Sequence, residues 1–118
     1  MKYYVVPLLI FVIGGCSSLA RDGAMIRAHN NFNEGDCQDV ISIVDRAIRV
    51  YDYNDERKAE LFFLKAKCLE KTHDIEGAIA LHAYIAYTYP KTQYGFRSNL
   101  IMNKIKKIQS DRAKEREI

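Results

Sequence analysis

Three cysteines and three histidines are the side chains here with most chemistry to offer. Cys37 and Cys68 lack the Cys-x-x-Cys spacing that depresses one thiol pKa, so the sequence does not describe a redox-catalytic pair. Two structural states stay open for them. They form a disulfide, worth roughly 3–4 kcal/mol in the chain-entropy picture, or they remain buried thiols acting as small apolar residues. His29, His73 and His82 fall on separate segments with no His-x-x-x-His pair, so they do not make a zinc set. They are expected at surface or partly buried positions. No glycine-rich phosphate loop and no Gly-x-Ser-x-Gly elbow occurs. Glu34, Asp36, Asp39 and Asp45 sit in turns and an early helical stretch, where capping and solvation account for them. The residues name no catalytic group, metal ligand or cofactor, so no enzymatic role is expected.

Cys16 ends a leader. Met1-Lys2 gives a positive start, Val5 to Ile13 an apolar run, and Gly14-Gly15 the small residues a signal peptidase accommodates. The run falls short of the ~20 apolar residues a bilayer span needs. An ordinary secretory leader, or an uncleaved apolar anchor, is the alternative. Past residue 15 the chain is long enough for one domain. Eighteen Lys plus Arg against fifteen Asp plus Glu leave no sequence-wide field for nucleic acid. The basic excess lies late, at Lys104, Lys106, Lys107, Arg112, Lys114 and Arg116. That stretch reads as a solvated tail or as a patch for acidic lipid headgroups.

The elements that must position these groups are helices. No segment alternates apolar and polar residues between Asn-Gly or Asp-Gly turns, and beyond the leader only Pro90 interrupts the helical spacing. Helices are expected near residues 22–33, 37–51, 55–71, 75–88 and 93–109. Asp36 and Asp74 are suited to cap the second and fourth, and Pro90 to stop the fourth. Sliding the chain by 38 residues places Ala28 on Ala66, Gly35 on His73, Asp36 on Asp74, Val40 on Ala78 and Ile41 on Ile79. That is a degenerate internal repeat. Folding at Tyr53-Asn54 brings Cys37 and Cys68 to similar height. Tyr84, Tyr87, Tyr89 and Tyr94 crowd around Pro90, as packing at the repeat junction or as interface anchors.

These features resemble the tetratricopeptide repeat. Phe62, Ala66, Leu69, Asp74, Ala78 and Pro90 of the second copy, residues 59–92, stand where that family places its conserved types. The first copy, residues 21–54, keeps Ala28, Gly35, Asp36 and Ala47 but has Val40 for the usual Ala and Asp52 for the closing Pro. The resemblance implies an all-α fold: two tetratricopeptide-like hairpins plus a C-terminal capping helix, a short α-solenoid over residues 21–109, with 110–118 a charged tail.

Ile13-Gly14-Gly15-Cys16 resembles the lipobox of bacterial lipoproteins. The resemblance implies a signal peptide over 1–15, acylation of Cys16 with palmitate-type chains, a linker over 16–20, and, with Ser17 and Ser18 following, a periplasm-facing place on the outer membrane. Tyr89-Pro90-Lys91-Thr92-Gln93-Tyr94-Gly95 resembles the Tyr-Pro-x-Ser/Thr-x-Tyr-Gly/Ala segment of BamD-like outer-membrane assembly lipoproteins. The implied function is a lipid-anchored adaptor holding protein partners in an assembly, secretion, pilus or polysaccharide-export complex. By the family layout Met25, His29 and Phe32 share a partner-binding face with Phe63, Lys67, Tyr94 and Arg97. The apolar members would anchor, and Lys67 and Arg97 would orient an acidic group. The alternatives are a structural lipoprotein that self-associates through its repeat end, giving a homo-oligomer, and an envelope thiol-redox or wall-acting enzyme.

Overall fold

The computed structural model describes residues 6–117, which form five α-helices and no strand: α1 (Val6–Asn33), α2 (Cys37–Val50), α3 (Asp55–Lys71), α4 (Ile75–Thr88) and α5 (Gln93–Arg116). The three inner helices start and stop where their polar punctuation sits. Each begins after a side chain that accepts a hydrogen bond from the backbone N–H three residues on: Asp36 from Asp39, Asn54 from Arg57, and Asp74 from Gly77. Thr92 does the same for α5 through Gly95. Each cap satisfies a donor the helix cannot satisfy internally.

The ends of α1 and α3 are built alike. Asp36 N–H reaches back to Asn31 O, and Asp74 N–H to Leu69 O, both at 2.9 Å. These bonds need a left-handed residue just before. Gly35 supplies it at φ 81°, and His73 supplies it at φ 67°. His73 carries a Cβ there, a strain of order 1 kcal/mol that glycine escapes.

Consecutive helices pack as neighbours, and α3 also touches both α1 and α5. It therefore needs two apolar faces. Leu61, Leu64 and Cys68 face a core with Ala24, Ala28, Val40, Val44 and Ala47 of α1 and α2. Ala59, Phe63 and Ala66 face a second core with Ile85 and Tyr89. Alanines sit where the helices come close, and Leu61 and Ile85 are fully buried beside them. Each such aliphatic side chain contributes ~1.5–3 kcal/mol by leaving water.

Two boundaries differ from the expected ones. α1 starts at Val6 rather than near residue 22: no proline lies between the apolar run and the amphipathic one, and the helix runs through Gly14-Gly15 and Ser17-Ser18 without a break. A cut before Cys16 would therefore fall inside α1. α5 continues to Arg116, beyond the last isoleucine of its apolar stripe, because Lys, Arg, Ala and Glu are good helix formers even without packing. The residues expected as a charged tail are thus helical through Arg116 and exposed. Among the described residues no helix is long and apolar enough to cross a membrane.

Candidate functional site

The first helix of each hairpin, together with α5, lines one side of the molecule, since α3 lies against both α1 and α5. The residues expected on this side fall into two groups. His29 of α1 meets Glu60 of α3 at 2.7 Å, Nε2 to Oε1. With Met25, Asn30, Glu56 and Arg57 they line an open groove of about 480 Å³. Met25 is itself buried in the first core, so it supports this groove from below rather than standing free.

The second group joins α3 to α5. Phe63 packs on Tyr94, with ring centres 5.2 Å apart, and the Arg97 guanidinium lies over both rings, at 4.7 Å from Phe63 and 5.5 Å from Tyr94. Such stacking over aromatic faces holds a guanidinium in place while leaving its N–H edge available. Phe63 is buried, so it serves as the seat of Arg97 rather than as a free anchor. Among the described residues no carboxylate comes within salt-bridge distance of Arg97. Burial raises the Tyr94 phenol pKa, and the Glu60 carboxylate raises it further, while Gln93 and Arg97 pull it down. Glu60 thus pairs with His29 and also disfavours the Tyr94 phenolate.

Two other expected members are already engaged. Lys67 pairs with Glu70 at 3.4 Å. Phe32 is half-buried beneath the Lys71 ammonium, 4.2 Å from its ring centre. Cys16 lies on α1, and its side chain is outside the described residues. Cys37 and Cys68 form a disulfide, Cα atoms 5.1 Å apart, joining the first turn of α2 to the last turn of α3.

His82 has a role the sequence did not show. It is fully buried, with Nε2 3.0 Å from the Glu70 carboxylate and Nδ1 2.9 Å from Ser98 Oγ. A carboxylate accepts only, so a neutral ring donates from Nε2 to Glu70 and accepts the Ser98 hydroxyl proton at Nδ1. Serine, imidazole and carboxylate stand in the order of a hydrolytic triad. Ser98 is 0% exposed, however, and no substrate carbonyl could reach its oxygen. The three residues instead pin α3, α4 and α5 together. The available signal was weak: His82 takes the buried phase of α4 beside Ala78 and Ile85.

Burial lowers the His82 pKa, partly opposed by its bond to Glu70 and the charge there; the Lys67 ammonium lowers it a little further. A folded pKa below the unfolded value near 6.5 means the unfolded chain binds the proton more readily. His82 therefore contributes its full stability above that value, and the contribution falls as pH drops below it. Thermal melts between pH 7.5 and 5 are expected to show a falling Tm, and His82→Gln, which cannot titrate, should flatten the profile. An unchanged profile in that variant would place the acid sensitivity elsewhere.

No protein-family model, curated protein or solved structure matches this chain.

Proposed function

We propose that this chain is a lipid-anchored adaptor of the cell envelope, working by binding proteins along the side formed by α1, α3 and α5. On this reading it is a short tetratricopeptide-like array: the caps Asp36 and Asp74, the left-handed turns at Gly35 and His73 and the small residues Ala28 and Ala66 each recur 38 residues apart. Acyl chains on Cys16 would hold it to the periplasmic face of an outer membrane. The disulfide supports an exported location, because such bonds persist in oxidising compartments. The observation that carries the reading is Arg97, seated on Phe63 and Tyr94 with no acidic partner of its own among the described residues. A guanidinium so placed is ready to pair bidentately with a carboxylate on a partner.

Arg97→Glu should remove protein partners from the complex recovered from detergent-solubilised membranes, with helix content unchanged. Arg97→Lys should retain them weakly, since an ammonium keeps the charge and loses the fork and the stacking. Recovery of the same proteins from Arg97→Glu as from the parent would sink the reading. Incorporation of labelled palmitate, abolished by Cys16→Ser, tests the anchor separately. Self-association is a second reading, favoured by Phe96 and Leu100, both more than half exposed on α5. Sedimentation of the purified chain decides it.

A further inference from the structure

α2 and α4 hold equivalent places in the repeat, and their outward faces differ in kind. α2 presents Ser42, Asp45, Arg46 and Arg49 to solvent; 38 residues on, α4 presents Ala80, Ala83, Tyr84 and Tyr87. Every charge on that face of α2 has become an alanine or a tyrosine. Tyr87 is 90% exposed. With Met102 and Lys106 of α5 these residues line an open groove of about 580 Å³. Alanines along the floor let another helix come close, and Tyr84, Tyr87 and Met102 form the walls it would pack between.

The charges around the groove select its occupant. Lys106 stands in its lining, and around it the second half of α5 carries Lys104, Lys107, Arg112, Lys114 and Arg116 against Asp111 and Glu115, with Glu117 just beyond its end. A second copy docked groove to groove would set Lys106 against Lys106 with no carboxylate among the lining residues. An acidic helix satisfies both needs. We propose that the groove between α4 and α5 receives an amphipathic helix of a protein partner, apolar where it meets α4 and Met102, and acidic where it meets Lys106 and the basic end of α5. Nine residues separate Arg97 from Lys106, which is two and a half helical turns, so the two lie on opposite sides of α5. Occupation of this groove is therefore independent of the face built around Arg97.

The test places the photoreactive residue p-benzoylphenylalanine at Tyr87, or at Arg49 as the equivalent site on α2, in the full chain in its host. Illumination should give a protein adduct from position 87 at about tenfold the yield from position 49, and the cross-linked peptide should be acidic and amphipathic at helical spacing. A synthetic peptide of that sequence should bind the purified protein and weaken as salt rises. It should bind about tenfold less tightly to Tyr87→Arg and to Ala83→Asp, the α2 residue types, at unchanged helix content. Arg97→Glu should leave this binding untouched, which separates the result from the adaptor face. An adduct of twice the chain mass, adducts to lipid alone, a basic or non-helical captured segment, equal yields at positions 87 and 49, or peptide binding indifferent to both substitutions would each overturn the proposal.

Discussion

Gly95→Ala is expected to cost about 2–4 kcal/mol of folding stability, combining the usual penalty for overpacking with partial loss of a helix cap. A Cβ at Gly95 would overlap the Tyr89 carbonyl oxygen, lie 2.9 Å from the Tyr89 carbonyl carbon and stand 3.2 Å from Thr92 Oγ1. None of these can yield cheaply. The Tyr89 carbonyl accepts the Thr92 hydroxyl at 2.7 Å, and that hydroxyl oxygen in turn accepts Gly95 N–H at 2.9 Å, so one turn carries both bonds. To make room, α5 would have to lift from the end of α4. That movement would loosen Tyr89, which stacks on Phe62, and Tyr94, which packs on Phe63 under Arg97. A domain of this size has only ~5–15 kcal/mol to lose. Urea unfolding should show a clearly lower midpoint, together with loss of Arg97-dependent partner recovery. Gly23→Ala is the control: nothing lies within 4 Å of its Cβ position, and inside α1 the change should stabilise by about 0.5–1 kcal/mol. Equal midpoints for Gly95→Ala and the parent would mean that the α4–α5 turn is not close-packed.

The same turn shows what the sequence made legible. Within Tyr89-Pro90-Lys91-Thr92-Gln93-Tyr94-Gly95 the sequence marked Pro90 as a helix stop, and the structure adds the Thr92 cap, the aromatic seat of Arg97 and the close approach of Gly95 to Tyr89. Asp36, Asp74 and Pro90 marked the inner helix ends because capping and proline act locally. The outer ends of α1 and α5 escaped because no local signal marks where a good helix former stops being helical. The candidate face was half legible. Spacing placed Tyr94 and Arg97 on one helix and Phe63 on another, but the stacking of Arg97 depends on how α3 meets α5, which periodicity does not encode. Glu60, Glu70 and Ser98 were missed for the same reason: each acts through a partner at least twelve residues away. The outward tyrosines divide in a way composition could not show, Tyr89 packing inward while Tyr87 faces solvent.

Breaking the Cys37–Cys68 bond is expected to lower stability by roughly 3–4 kcal/mol, because it releases a loop of 31 residues in the unfolded chain. The bond ties the start of α2 to the end of α3 and so closes the α2–α3 hairpin. Both cysteines are buried in the first core, so reduction leaves two small apolar thiols in place and removes little packing. The loss should therefore come almost wholly from the unfolded state. Thermal melts with and without reductant should separate clearly, while Cys37→Ala with Cys68→Ala should match the reduced parent to within the ~1–2 kcal/mol that two small cavities cost. Denatured, unreduced protein should take up no thiol label at either position. Quantitative labelling of both, or identical melts with and without reductant, would remove the disulfide and with it the support it lends to an oxidising compartment. In a reducing compartment the same chain would lose the margin that the bond provides.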